Sequence, residues 1–122
     1  MTEAEILGKM IDRLQDKGWV QGIIWEEEFV PSGMLTFDGG FLIKRIPGRA
    51  CLQGTAELCD AGPLTMVSAI GDRLAAAIAD LFPERKEGQA HWDTVVKFND
   101  HENTTFEDVM LILKHARERA DG

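Results

Sequence analysis

The chain has 122 residues, 44% of them hydrophobic and 28% charged, and its 21 acidic and 13 basic side chains give a net charge of −8. This length suits a single globular domain, residues 1–122, that buries a core without disulfides or metal. The composition excludes collagen-like, mucin-like and strongly disordered chains. The acidity argues against direct nucleic-acid binding, because phosphates would be repelled.

Residues 2–17 are predicted to form the first helix. Thr2 and Glu5 have the spacing of a capping box at its start, and Gly18 supplies a left-handed stop at its end. Between them, one apolar stripe recurs every three or four residues, as expected for a helix that packs on a core: Ile6, Leu7, Met10, Ile11 and Leu14.

A short hairpin is predicted next, between the first and second helices. Residues 34–37 and 41–43 are apolar except for Thr36 and flank Asp38-Gly39-Gly40, a loop whose Asp-Gly pair favours positive φ. Before this hairpin, Pro31-Ser32-Gly33 predicts a turn, and Pro47-Gly48 is predicted to end the region.

The rest of the chain is predicted to be helical. A second helix is predicted from near Arg49 to Cys59. A third is predicted over residues 64–82, and Pro63, directly before this range, is well placed as the first residue of that helix. Residues 84–88 form a charged linker, and residues 92–98 are assigned to a short helix although they fit neither period cleanly.

The terminal helix follows a second capping signal, either Thr105 with Asp108 or Thr104 with Glu107. The predicted fold class is therefore mainly α with a small β-hairpin (α+β). It is a compact bundle of about four helices with the hairpin between helices 1 and 2.

The cysteines and the apolar runs of the sequence indicate the cellular compartment of the protein. Cys51 and Cys59 fall in one predicted helix, about 12 Å apart along its axis, which is beyond the roughly 7 Å that a disulfide spans. No signal peptide is recognisable, and no apolar run approaches the roughly 18 residues of a membrane span. We expect a cytoplasmic protein without membrane contact.

Four separated segments carry a family resemblance: Gly-Trp-Val-Gln-Gly at 18–22, Cys-Leu-Gln-Gly-Thr-Ala at 51–56, Phe-Asn-Asp at 98–100 and Thr-Phe-Glu-Asp-Val at 105–109. They resemble an uncharacterised actinobacterial and actinobacteriophage family, a domain of unknown function, with the motifs Gly-Trp-x-Gln-Gly, Cys-x-x-Gly-Ala, Trp-Asn-Asp and Arg-Thr-x-Glu-Glu-Val. Phe98 departs from the family's Trp, and Thr104 from its Arg. The resemblance implies a helical fold and a phage or actinobacterial origin, but no mechanism.

Cys51 is the candidate nucleophile, because the free amides at a helix N-terminus stabilise a thiolate. A cysteine-dependent hydrolase would take His101 or His91 as its base and Asn99 or Asp100 as the group that orients it. The alternative is that Cys51 is a small, buried packing residue.

Metal and cofactor sites are not predicted. His91, Asp93, Asp100, His101 and Glu102 carry ligand groups, but no pair among them has a recognised ligand spacing. An Asx turn explains the Asn99-Asp100 pair without chemistry. Phosphate-loop and nucleophile-elbow motifs are absent from the sequence.

The acidic triplet Glu26, Glu27 and Glu28 lies between Trp25 and Phe29. A charge run is usually a solvated face, but aromatic anchors with a polar rim also build protein interfaces. These five residues are the predicted partner-binding edge.

The leading hypothesis is a non-enzymatic, phage-encoded accessory protein of the cytoplasm that binds a host protein or itself. The alternatives are a hydrolase that uses Cys51 and an acidic nucleic-acid mimic.

Overall fold

Helices dominate the computed structural model, which describes residues 2–35, 39–59, 64–89 and 91–121. Within these ranges the elements are α1 (Glu3–Lys17), β1 (Trp25–Leu35), β2 (Phe41–Ala50), α2 (Leu52–Cys59), α3 (Leu64–Leu81), α4 (His91–Asp100) and α5 (Phe106–Asp121), with one 3₁₀ turn at Pro83–Arg85. The mainly helical fold with a two-stranded antiparallel sheet between α1 and α2 confirms the predicted class.

Both ends of α1 follow from local sequence signals. The Thr2 hydroxyl oxygen accepts a hydrogen bond from the Glu5 N–H at 3.2 Å, as an N-cap does. At the other end Gly18 has φ of +99°, and its N–H donates to the Leu14 carbonyl at 2.9 Å. The predicted helix is confirmed, with Thr2 as its cap.

The core lies where α1, α3 and α5 meet, with α2 and α4 packed beside them. One apolar stripe of each long helix faces this core, which is how amphipathic helices gain most of their stability. The largest fully buried side chains are Phe98, Ile6, Leu7, Met10, Leu14, Leu52, Ile70, Leu74, Ile78, Ile112, Leu113 and Val95.

The hairpin is longer than predicted, and the predicted turn at residues 31–33 is wrong, because these residues lie inside β1. Proline is tolerated there because each strand of a two-stranded sheet has an edge that needs no ladder hydrogen bond. The register shifts between the Pro31–Ile43 and Leu35–Phe41 pairs, and this irregularity absorbs the extra residues.

Strand β2 also continues past its predicted end. Pro47 and Gly48 are strand residues, and the Arg13 side chain fixes this part to α1 by donating to the carbonyls of both, at 3.2 and 3.4 Å. The strand ends at Ala50, whose N–H donates to the Gly18 carbonyl and whose carbonyl accepts from Val20. The second helix therefore begins at Leu52 and not near Arg49, because tertiary pairing holds residues 49 and 50 extended.

The count of about four helices is also too low. The segment predicted as a short helix forms α4, of ten residues, which buries Thr94, Val95, Phe98 and Asn99 on one face. Its pattern is unclear in the sequence because two of these four buried side chains are polar.

The last helix begins as one of the two predicted capping boxes. The Asp108 N–H donates to the Thr105 hydroxyl, and the Thr105 N–H donates to the Asp108 carboxylate, each at 3.2 Å. The turn predicted at Asp38 and the helix start predicted at Pro63 lie within residues 36–38 and 60–63, which are outside the described residues.

Candidate functional site

Asn99, in the last turn of α4, joins three of the resembling segments and is only 2% exposed. Its Oδ1 accepts hydrogen bonds from the Trp19 indole N–H at 2.7 Å and from the Leu52 N–H at 3.0 Å. Its Nδ2 donates to the Val20 carbonyl at 3.3 Å and to the Asp100 carboxylate at 2.9 Å. One buried amide therefore ties the chain after α1, the start of α2 and the end of α4 together.

Two neighbouring side chains extend this network. The Gln21 amide donates to the carbonyls of Asn99 and His101, both at 2.9 Å, and so satisfies carbonyls that the end of α4 leaves free. The Asp100 carboxylate accepts from the Gly22 N–H at 2.8 Å. The Gly-Trp-Val-Gln-Gly segment is thus held along the end of α4.

Cys51 is the N-cap of α2 and is 7% exposed. Its N–H donates to the Ile24 carbonyl at 2.9 Å, and its sulfur accepts from the Gly54 N–H at 3.3 Å. Burial raises the pKa of the Cys51 thiol, and the N–H groups of Gly54 and Gln53 offset this only in part. The protonated thiol is the favoured form, as expected of a capping and packing residue.

The structure brings neither candidate base to Cys51, although Asn99 and Asp100 line the same small cavity as its side chain. The Nδ1 of His101 accepts from the Asn103 N–H at 3.0 Å, and the Nδ1 of His91 lies 2.7 Å from an Asp72 carboxylate oxygen. Within the described part of the chain, neither imidazole hydrogen-bonds to the Cys51 sulfur, and Asn99 serves the network above.

A small cavity of about 130 Å³ adjoins this network. Sites for small molecules usually enclose about 300–1,000 Å³, so this one has room for only a few water-sized groups. Its lining residues are Gly22, Ile23, Ile24, Cys51, Gln53, Val96, Asn99 and Asp100.

The carboxylates considered for metal binding are used separately. Asp93 pairs with Lys97 at 3.4 Å and accepts from the Gln89 N–H at 3.3 Å, while Asp100 serves Gly22. Across the described residues, no three His, Cys, Asp or Glu side chains come together as a metal site would require.

Arg85 is a partly buried residue that the sequence assigned to a charged linker. Its guanidinium carbon lies 4.3 Å from the Phe82 ring centroid and 5.3 Å from that of Phe98. The same group donates to the Thr104 hydroxyl at 3.0 Å and to the Asp108 carboxylate at 2.9 Å. Phe98 and Thr104, the two positions that we expect to depart from the family motifs, therefore both contact Arg85.

The acidic triplet of the predicted edge is divided among three basic partners. Glu26 forms two hydrogen bonds with Arg49, at 2.5 and 2.8 Å, and these lower the pKa of its carboxyl group. Glu27 lies 3.5 Å from Arg45, and Glu28 lies 4.0 Å from Lys17. The triplet does not form a single uncompensated acidic face.

The exposed apolar groups of the hairpin share one face. Phe29 pairs with Arg45 across the sheet, and paired residues point to the same side. Ile43 lies two residues before Arg45 on β2, so its side chain points to that side as well. Phe29 is 65% exposed and Ile43 67%. We call Glu27, Phe29, Ile43 and Arg45 the outer hairpin face.

Part of this face was missed in the sequence. Trp25 pairs with Ala50 at the base of the hairpin and is half-buried, so we do not include it in the outer hairpin face. Ile43 and Arg45 lie on the facing strand. Residues 41–46, Phe-Leu-Ile-Lys-Arg-Ile, do not alternate between apolar and polar, so the sequence carries no period-two signal for this face.

None of the helices in the described ranges has the length and apolar character needed to cross a bilayer.

A family model matches the chain over almost its whole length, whereas no curated protein and no solved structure matches the chain. The model of a family of unknown function, DUF6197, matches residues 1–119, a range that includes every segment joined by Asn99. This confirms the resemblance to an uncharacterised family, and the chain belongs to DUF6197, a family of unknown function.

Proposed function

We propose that this chain is a non-enzymatic accessory protein that binds another protein through the outer hairpin face. The observation that carries the proposal is the pair Phe29 and Ile43, which are the most exposed large apolar groups among the side chains that the structure describes. Burying such a side chain in an interface is worth about 1.5–3 kcal/mol.

The polar groups of the same face fit this role. Arg45 lies 3.5 Å from Glu27, and its guanidinium carbon is 5.7 Å from the Phe29 ring centroid. An apolar centre with a charged rim is the usual arrangement of a protein interface. The family resemblance implies a phage or actinobacterial cytoplasmic origin. As part of the same proposal, the protein is phage-encoded and its partner is a host protein.

The hydrolase alternative has less support, because the pKa of the Cys51 thiol is raised by burial and its hydrogen bonds go to the backbone. The acidic mimic also has less support. Nine described carboxylates lie within 4.0 Å of a basic nitrogen, whereas a mimic needs free charges in an array.

The test is affinity capture from host lysate with tagged protein and quantitative mass spectrometry. Phe29→Ser and Ile43→Ser should each reduce capture of the specific partner about tenfold or more, since about 1.4 kcal/mol corresponds to tenfold in affinity. Lys44→Ala is the matched control, because Lys44 is exposed on the opposite face of β2.

The control variant should capture the partner as the parent protein does. Circular dichroism should show that all three variants keep the helical fold. Equal capture by the parent protein and both serine variants would refute the outer hairpin face as the interface.

A further inference from the structure

Helix α5 leaves an apolar stripe facing away from the core. Leu111 is 52% exposed and Phe106 37%, although both lie beside core residues of the same helix. Together with Glu107, Met110 and Lys114 they line a depression of about 380 Å³. We call these five residues the outer α5 surface.

The spacing of this surface suits another helix. Residues 107, 110, 111 and 114 stand at i, i+3, i+4 and i+7, the four positions that form a hole for a side chain of a facing helix. The depression also continues on both sides. Phe106 borders a hollow of about 300 Å³ against Trp19, and Lys114 borders one of about 390 Å³ against Ile11.

The charges of the surface complement one another across a two-fold axis. Glu107 and Lys114 take part in none of the ion pairs of the described residues. Seven residues separate them, which is about 10.5 Å along the helix, so they cannot pair with each other. In an antiparallel pair of α5 helices centred between Met110 and Leu111, each Glu107 faces the partner's Lys114.

We propose that the outer α5 surface binds a second copy of this chain, which forms a two-fold symmetric dimer through antiparallel α5 helices. Leu111 of each copy inserts into the hole of the other, and two Glu107–Lys114 ion pairs flank this centre. The two-fold operation brings the same patch of both copies together, as an isologous interface requires. The surface is separate from the outer hairpin face, so the two interactions can be tested independently.

Sedimentation velocity across a range of concentrations tests the dimer. The parent protein should dimerise, and Glu107→Lys or Lys114→Glu should each weaken dimerisation at least tenfold, because each places like charges opposite one another twice. The double variant E107K/K114E exchanges the two charges and should restore dimerisation. Leu111→Asp should abolish it, and Ile43→Asp, an exposed apolar site on the hairpin, is the matched control that should not.

Circular dichroism would show that the variants keep their fold, as expected for exposed positions. A parent protein that stays monomeric up to about 1 mM would overturn the proposal. Single charge variants that dimerise like the parent would also overturn it, and so would a double variant that fails to recover. Loss of the dimer in Ile43→Asp alone would assign the contact to the hairpin and refute the α5 interface.

Discussion

Replacing Asn99 by Ala should be among the most destabilising single changes in this chain. The substitution leaves two donors without their acceptor, the Trp19 indole N–H and the Leu52 N–H, which lie 2.7 and 3.0 Å from the Asn99 oxygen. Each unsatisfied buried donor costs about 1–3 kcal/mol. Because Trp19 is only part-buried, we expect a total loss of about 3 kcal/mol, a large share of the roughly 5–15 kcal/mol typical of a domain.

Urea unfolding followed by tryptophan fluorescence measures this loss, and Trp19 lies at the site itself. Asn103→Ala is the matched control, because Asn103 is exposed and takes part in the described hydrogen bonds only through its backbone. It should change the free energy of unfolding by less than about 0.5 kcal/mol. If Asn99→Ala costs less than about 1 kcal/mol, the network does not hold the three segments together as we argue.

Asn99→Asp tests the donor role of the Asn99 amide separately from its acceptor role. It keeps an acceptor for Trp19 and Leu52 but replaces the donor that lies 2.9 Å from the Asp100 carboxylate with a second carboxylate oxygen. Burial and the nearby like charge raise the pKa of the new carboxyl group above its unfolded value. This variant should therefore gain stability relative to the parent as the pH falls from about 8 to about 5, since its protonated form can donate again. A pH-independent difference would contradict this account.

Three further predictions concern Gly54, Asp108 and Cys51. Gly54→Ala should destabilise the fold by about 1–3 kcal/mol, because its Cβ would overlap the Ile24 carbonyl oxygen; unchanged stability would contradict this close approach. Burial raises the pKa of the Asp108 carboxyl group, but its hydrogen bonds with Arg85 and Thr105 outweigh this and lower it. Its stabilisation is therefore present above about pH 4 and lost as pH falls through the folded value. Asp108→Asn should reduce stability at pH 7 and flatten the acid decline, and an unchanged pH profile would disprove the link. The Cys51 thiol should react with a disulfide reagent about 100-fold more slowly in the folded than in the urea-unfolded chain; equal rates would show that it is accessible.

The hairpin shows where local patterns give the wrong boundaries. Pro31-Ser32-Gly33 and Pro47-Gly48 are turn formers in isolation, yet both lie within strands. A two-stranded sheet accepts proline on its open edges, and contacts with α1 keep β2 extended to Ala50. These contacts join residues more than thirty positions apart, which a local window does not contain.

The sequence by itself determined where most of the helices lie, because the signals that define them involve neighbouring residues; the start of α2 and the extent of α4 were exceptions. The Thr2 cap, the Gly18 stop and the apolar stripe of α1 act within a few turns of one helix, and the structure places them as predicted. At α5 the structure selects Thr105 from the two caps that the sequence left open. Tertiary structure alone decided what the polar residues do. Asn99 hydrogen-bonds to Trp19, eighty residues away in the sequence. Arg85, predicted to lie in a charged linker, packs against the Phe98 ring. Each glutamate of the acidic triplet pairs with a different basic side chain. A polar side chain has several possible partners in any sequence, and only the packed fold selects the one that burial requires it to satisfy.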